Sequence, residues 1–88
     1  MEFEYDPVKS ETNARKHGIN FDEARELWND GGLVVLPSRY TAENRYLAIG
    51  RIGERHWTAI FTERGDRIRT ISVRRSRSEE KALYERNQ

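Results

Sequence analysis

The stretch Phe61-Thr62-Glu63-Arg64-Gly65-Asp66-Arg67-Ile68-Arg69-Thr70-Ile71-Ser72-Val73-Arg74-Arg75 leaves the chain few choices of fold. A tight Gly-Asp turn joins the end of one strand to a second strand, in which Ile68, Ile71 and Val73 are interleaved with arginine. From Arg64 to Arg77 six arginines stand against one acid, Asp66. The apolar residues among them make this a folded strand and not a loose basic tail. A strand that buries some side chains while holding guanidinium groups on a rigid frame suits phosphate.

A second hairpin precedes it. Residues 45–52 and 55–62 flank Gly53-Glu54, and glycine at the first central position fits a two-residue type II′ turn. That turn sets Ile52 opposite Arg55, Gly50 opposite Trp57, Ala48 opposite Ala59 and Tyr46 opposite Phe61. Small residues thereby face large ones. Leu47, Ile49 and Ile60 lie on the other face, so the sheet has apolar groups on both sides. Leu33-Val34-Val35-Leu36-Pro37 reads as a further strand, partly covered on both faces. Residues 38–44 read as a loop.

Before these strands the pattern is helical. Glu2-Phe3-Glu4-Tyr5 alternates as a short strand whose place in the sheet the sequence leaves open. Asp6 caps a helix with Pro7 at its first position and Gly18 at its end. Val8, Thr12 and Arg15 give that helix only a weak face. Asn20 and Glu23 form a capping box for a second helix, with Ile19 and Ala24 placed as a hydrophobic staple. Phe21, Ala24, Leu27 and Trp28 make its buried stripe. At the other end, Ser76 with Glu79 marks the start of a last helix over 78–86, carrying Ala82 and Leu83. The expected architecture is one α+β domain, residues 1–88, with two N-terminal helices, a four-stranded antiparallel sheet and a C-terminal helix.

Composition narrows the function. The 88 residues contain no cysteine, which excludes disulfides and thiolate metal sites. No apolar run approaches the ~20 residues of a membrane span, and the acidic N-terminus lacks a signal-peptide pattern, so the chain reads as cytoplasmic. The first 44 residues carry five Lys/Arg and nine Asp/Glu, a net of −4, whereas the last 44 carry eleven and six, a net of +5. Such asymmetry suggests an anionic ligand for the C-terminal half. His17 and His56 lack ligand spacing, and Gly31-Gly32 lacks the Lys-Ser/Thr of a phosphate loop. No metal or cofactor is expected.

RNA cleavage needs none of these groups, because the substrate supplies its own 2′-hydroxyl nucleophile. The protein must take a proton from it, stabilise a phosphorane and protonate the departing oxygen. Lys16, His17, Arg51, His56, Glu63, Arg64, Arg74 and Arg75 are candidates. Each has a plainer reading. His17 suits a helix C-terminus as a cation, His56 is a solvated strand residue, and Glu63 pairs at the turn. Arg67 and Arg69 lie on a solvated or partner-facing side. Arg74-Arg75, before a helix N-terminus, is the best phosphate site. Trp57, Tyr40 and Tyr46 could stack on bases, although Trp57 opposite Gly50 reads as packing.

Several motifs together resemble the BrnT toxin family. They are Phe3-Glu4-Tyr5-Asp6-Pro7-Val8-Lys9, Asn13, Lys16-His17-Gly18-Ile19-Asn20-Phe21-Asp22-Glu23-Ala24, Ile49-Gly50-Arg51, the segment from Thr62 to Arg69, and Ile71-Ser72-Val73-Arg74-Arg75. The resemblance implies a RelE-like fold, a metal-independent endoribonuclease that inhibits translation, and a BrnA-like antitoxin with a ribbon-helix-helix DNA-binding domain. Operator DNA would be met only through the antitoxin complex. On this reading Lys16, His17, Glu63, Arg64, Arg74 and Arg75 are the catalytic candidates, and Arg51, Arg67, Arg69 and Arg77 bind RNA. The rival is a non-catalytic module that binds nucleic acid or an antitoxin through the same patch, as a degenerate toxin would.

Overall fold

The computed structural model describes residues 1–39 and 44–88. Tyr40 and residues 41–43, the middle of the expected 38–44 loop, lie outside the described residues. The elements in order are β1 (Glu2–Glu4), α1 (Pro7–His17), a 3-10 helix (Glu23–Asn29), β2 (Val34–Pro37), β3 (Arg45–Ile52), β4 (Arg55–Arg64), β5 (Arg67–Arg75) and α2 (Ser78–Arg86). The strands form one sheet in the order β1-β5-β4-β3-β2. Among the described residues no helix is long and apolar enough to cross a membrane.

The expected RelE-like plan of two N-terminal helices on four antiparallel strands is overturned twice. First, β1 joins the sheet. It pairs in parallel with β5, Glu2 beside Arg67, Phe3 beside Ile68 and Glu4 beside Arg69, so the sheet is five-stranded and mixed. Phe3 is thereby placed in the core against Trp28, ring centroids 5.1 Å apart. Second, residues 23–29 wind as a 3-10 helix and not an α-helix. The capping box is present, Glu23 N–H donating to Asn20 Oδ1 at 2.7 Å and Asn20 N–H to Glu23 Oε1 at 2.9 Å. Both ends are pinned, the Phe21 N–H by the Ser10 hydroxyl and the Asp30 carboxylate by Gly32, Arg51 and Tyr84. Tighter winding advances about 2.0 Å per residue against 1.5 Å in an α-helix, so these seven residues extend about 14 Å in place of about 10.5 Å.

The β3–β4 register is the one the Gly53-Glu54 turn dictates, with Gly50 beside Trp57 and Tyr46 beside Phe61. Gly53 sits at φ 62° and, among the described residues, no non-glycine has positive φ, the signature of the type II′ form. The core lies between this face and the N-terminal helices. Ile19, Phe21, Ala24 and Leu27 pack there on Ala48, Trp57, Ala59, Phe61 and Val73. Tyr46 stacks on Phe61 at 5.5 Å.

Two helix details differ from expectation. Val8 is exposed, and α1 buries Ser10 and Asn13 instead, because polar groups meet the backbone of the next segment and of β5. The α2 cap is Arg77 and not Ser76: the Arg77 N–H donates to Glu80 Oε1 at 2.8 Å, while Ser76 Oγ turns inward to the Thr58 hydroxyl at 2.8 Å. With two acids in succession, Glu79 and Glu80, the frame is decided by burial of Glu80. The apolar contacts of α2 come from Leu83 and Tyr84, since Ala82 is exposed.

Candidate nucleic-acid interface

Directly paired residues on neighbouring strands project to the same side of a sheet. On the face away from α1, three pairings follow one another toward the Gly65-Asp66 turn. Leu47, Ile60 and Ser72 form one row, Arg45, Thr62 and Arg69 the next, and Arg64 with Arg67 the last. Rows are about 6.8 Å apart. α2 covers only the other end of this face, where Ile49 and Thr58 are fully buried beneath it. Four arginines therefore occupy one patch that no element among the described residues covers.

A β-bulge between Ile60 and Phe61 makes this possible, because Ile60 pairs Ser72 while Phe61 pairs Thr70, leaving Ile71 without a partner. Before the bulge Ile68 and Thr70 face the core; after it Val73 does. Without the extra residue, Arg74 would share the core side of Ile68 and Thr70. With it, Arg74 projects to the arginine face and Arg75 to the helix side.

A groove of about 550 Å³ opens between this patch and α2, lined by Ser38, Arg45, Leu47, Ile60, Ile71, Ser72, Arg74, Arg77 and Glu80. At its inner wall Arg74 grips Glu80 with two bonds, of 2.7 and 2.9 Å. The Glu80 side chain is 9% exposed and that of Arg74 20%. Burial pushes the Glu80 carboxyl up, but Arg74, the Arg77 N–H and the Thr58 hydroxyl outweigh it and hold the pKa at about 2. The Glu80 hydrogen bonds, against some desolvation, raise the Arg74 pKa further above its usual value. Both groups stay charged at neutral pH, so Glu80 accepts no proton there.

The other sequence candidates are spread over the molecule. Arg69 meets Glu4 at 3.1 Å and Arg67 meets Glu2 at 3.8 Å, so β1 neutralises part of the patch. Among the described residues, Arg45, Arg64 and Arg77 have no ion pair within 4.0 Å. Glu63 is exposed on the core side of β4's end. Arg75 lies over the Trp57 ring at 5.5 Å, and Trp57 itself is 6% exposed and packed, as the Gly50 pairing implies. Lys16 and His17 are exposed in the last turn of α1. The chain leaves β1 beside Arg69 and reaches Val73 at Asn13, so α1 advances with β5 and carries Lys16-His17 toward the Arg74-Arg75 end. Arg75 projects to the α1 side of β5 and Arg74 to the opposite face.

Arg51 lies at the far end of α2, where a second cavity of about 420 Å³ also takes in Asp30 and Tyr84. Asp30 accepts from Tyr84 Oη at 2.7 Å and from the Arg51 N–H at 2.8 Å. Burial works against the ionised Asp30, yet these bonds lower its pKa; burial and Asp30 together push Tyr84 up to about 12. His56 is not solvated but held between Glu85, at 3.1 Å, and the Tyr84 ring. Sequence reasoning missed Arg45 and Glu80. Arg45 was accessible in principle, since the two turn registers together align it with Arg69.

Residues 5–80 match the family model described as ribonuclease toxin, BrnT, of type II toxin-antitoxin system. No curated protein matches the chain.

Proposed function

The chain belongs to the BrnT family, the ribonuclease toxins of type II toxin-antitoxin systems, and we propose that it cleaves RNA held across the open arginine face and so inhibits translation. One observation carries the reading: Arg45, Arg64, Arg67 and Arg69 project from two adjacent rows of one sheet face that no element among the described residues covers. Arg77 and Arg74 extend that positive surface to the α2 side of the groove. The RNA backbone crosses this face and passes over the β5 edge. There Arg74 on one side and Arg75 on the other stabilise the phosphorane. Lys16 or His17, carried to the same edge, exchanges protons with the 2′-hydroxyl and the leaving oxygen; Glu63 beside Arg64 is the alternative proton carrier. Since the nucleophile belongs to the substrate, no metal enters the proposed reaction. Arg51, under the far end of α2, stands outside this path. The antitoxin in this reading is BrnA-like with a ribbon-helix-helix domain, operator DNA is reached through their complex, and the setting is the cytoplasm.

The second reading, a binding module without cleavage, is favoured by one feature. Among the described residues the only ionisable acid lining the groove, Glu80, is held at about 2 and serves as neither acid nor base near neutrality. Incubating the purified chain with single-stranded RNA separates the two. Fragments ending in a cyclic or 3′ phosphate, together with growth arrest and RNA decay on induction, support cleavage. Intact RNA despite salt-sensitive binding supports the module.

A further inference from the structure

We propose that Trp57 is a positioning residue for the substrate: its indole face holds the Arg75 guanidinium in place with the N–H donors free, and Arg75, more than Arg74, makes the direct bonds to phosphate. The statement rests on the RNA reading and narrows it, by dividing the work of two neighbouring arginines.

The division follows from what each arginine already holds. Arg74 gives Glu80 two bonds, of 2.7 and 2.9 Å, and donates a third, of 3.3 Å, to the Arg75 carbonyl. The Arg77 N–H and the Thr58 hydroxyl are also turned to Glu80, at 2.8 and 3.0 Å. The start of a helix favours an anion, and at α2 the Glu80 carboxylate is that anion. It takes up the donors that a phosphate would need, and its side chain is only 9% exposed.

Arg75 stands on the opposite side of β5 and is exposed. Among the described residues its side chain has no ion pair within 4.0 Å and no hydrogen bond. Its partner is the Trp57 ring, whose centroid lies 5.5 Å from the guanidinium carbon. The ring attracts the cation through its face, so the in-plane N–H fork stays available for a phosphate. Arg25 over Phe3, at the same 5.5 Å, lacks this freedom, because Asp22 meets its guanidinium at 3.1 Å.

The support under Arg75 is fixed. Trp57 is 6% exposed, belongs to the core, and pairs across the sheet with Gly50 on one flank and Arg75 on the other. An arginine held in place before the phosphate arrives loses less side-chain freedom on binding, and that is what the indole contributes.

The first test uses the wild-type chain. In its NMR spectrum the Arg75 Nε–H should resonate upfield of the other exposed arginines, because it lies over the indole. A 2′-deoxy single-stranded oligonucleotide, which cannot be cut, should move the Arg75 signal before that of Arg74. Movement of Arg74 with Arg75 still, or no movement of either, overturns the proposal. The second test compares Trp57→Leu with Trp57→Phe. Both shrink the same core side chain, but only Phe keeps an aromatic face. Trp57→Leu should cut single-stranded RNA at least about threefold more slowly than Trp57→Phe. Equal rates in the two variants, with both folded by circular dichroism, also overturn it; if either does not fold, the titration decides alone. Movement of Arg75 in a chain that leaves RNA intact removes the ribonuclease reading and keeps the phosphate contact. Active cleavage with Arg75 unmoved does the reverse.

Discussion

The Asn13 side chain takes the place of a strand beside Val73. Its Nδ2 donates to the Val73 carbonyl at 2.9 Å, and the Val73 N–H donates to its Oδ1 at 3.1 Å. β1 pairs only with residues 67–69 of β5, so the later half of that strand would otherwise expose its ladder. Nδ2 also donates to the Ile19 carbonyl at 2.8 Å, tying the end of α1 to the segment that follows. A polar helix with almost no apolar face is held by this amide.

Asn13→Ala should therefore destabilise the chain by about 2–4 kcal/mol, since it leaves two buried backbone groups of Val73 unpaired. Urea unfolding measures it. A change below about 0.5 kcal/mol would mean that water or a relaxed helix replaces the amide.

Arg74 is as much a structural cation as a candidate for phosphate. Arg74→Ala strands the buried Glu80 carboxylate and should cost about 1–3 kcal/mol. Glu80→Gln in the same background should recover part of that loss, giving a coupling of at least about 0.5 kcal/mol in the double-mutant cycle. Strict additivity would show that the pair is uncoupled. Loss of activity in Arg74→Ala therefore bears on catalysis only after its stability has been measured.

The acid limb of stability should depend on the same carboxylate. The folded pKa of Glu80, about 2, lies below its ordinary 4.5. Its contribution is complete above about pH 4.5 and is lost as pH falls toward 2. Asp30, also lowered, adds to this limb. Tyr84 works in the opposite sense. Pushed up to about 12 from 10.0, its phenol contributes fully below pH 10 and loses that contribution as pH rises to 12. In Tm against pH, Glu80→Gln should flatten the fall below pH 4.5 and leave the alkaline fall intact. An unchanged acid limb in that variant would contradict the assignment.

Gly50 is a packing requirement. A Cβ there would stand 2.9 Å from Leu33 Cδ1, 3.1 Å from Leu27 Cδ2 and 3.3 Å from Asp30 Oδ2. Gly50→Ala should cost about 1–3 kcal/mol by overpacking, whatever it gains in strand propensity. Neutral or stabilising behaviour in thermal unfolding would show that Leu33 yields freely.

The local chemistry of the chain was legible. Asp6 and Gly18 act as the sequence implied, the Asn20–Glu23 hydrogen bonds form although the 3-10 helix has Asp22 and not Asn20 at its cap position, and the Gly53-Glu54 turn fixed eight cross-strand pairs in advance. What escaped was non-local or depended on a frame. Glu2–Glu4 has three residues and no signal for a parallel partner 65 positions away. The bulge at Ile71 decides which way Arg74 and Arg75 point, and strict alternation cannot reveal an extra residue. Helical spacing over seven residues fits a 3-10 winding as well as an α-helix. The arginine content was visible; its division between two faces was not. The expectation of four antiparallel strands failed because it left out the strand that β1 supplies.

In the proposed function RNA is engaged by the open face. The most direct measurement is binding and cleavage of single-stranded RNA by Arg45→Ala/Arg64→Ala, two exposed arginines whose loss should change stability by no more than about 0.5 kcal/mol each. The variant should cut at least about tenfold more slowly, and its log K against log salt slope should shrink by about 0.7 for each phosphate that the protein no longer neutralises. A wild-type rate and an unchanged slope in the folded variant would contradict the account and move the RNA to the Lys16, His17 and Arg75 side of the sheet.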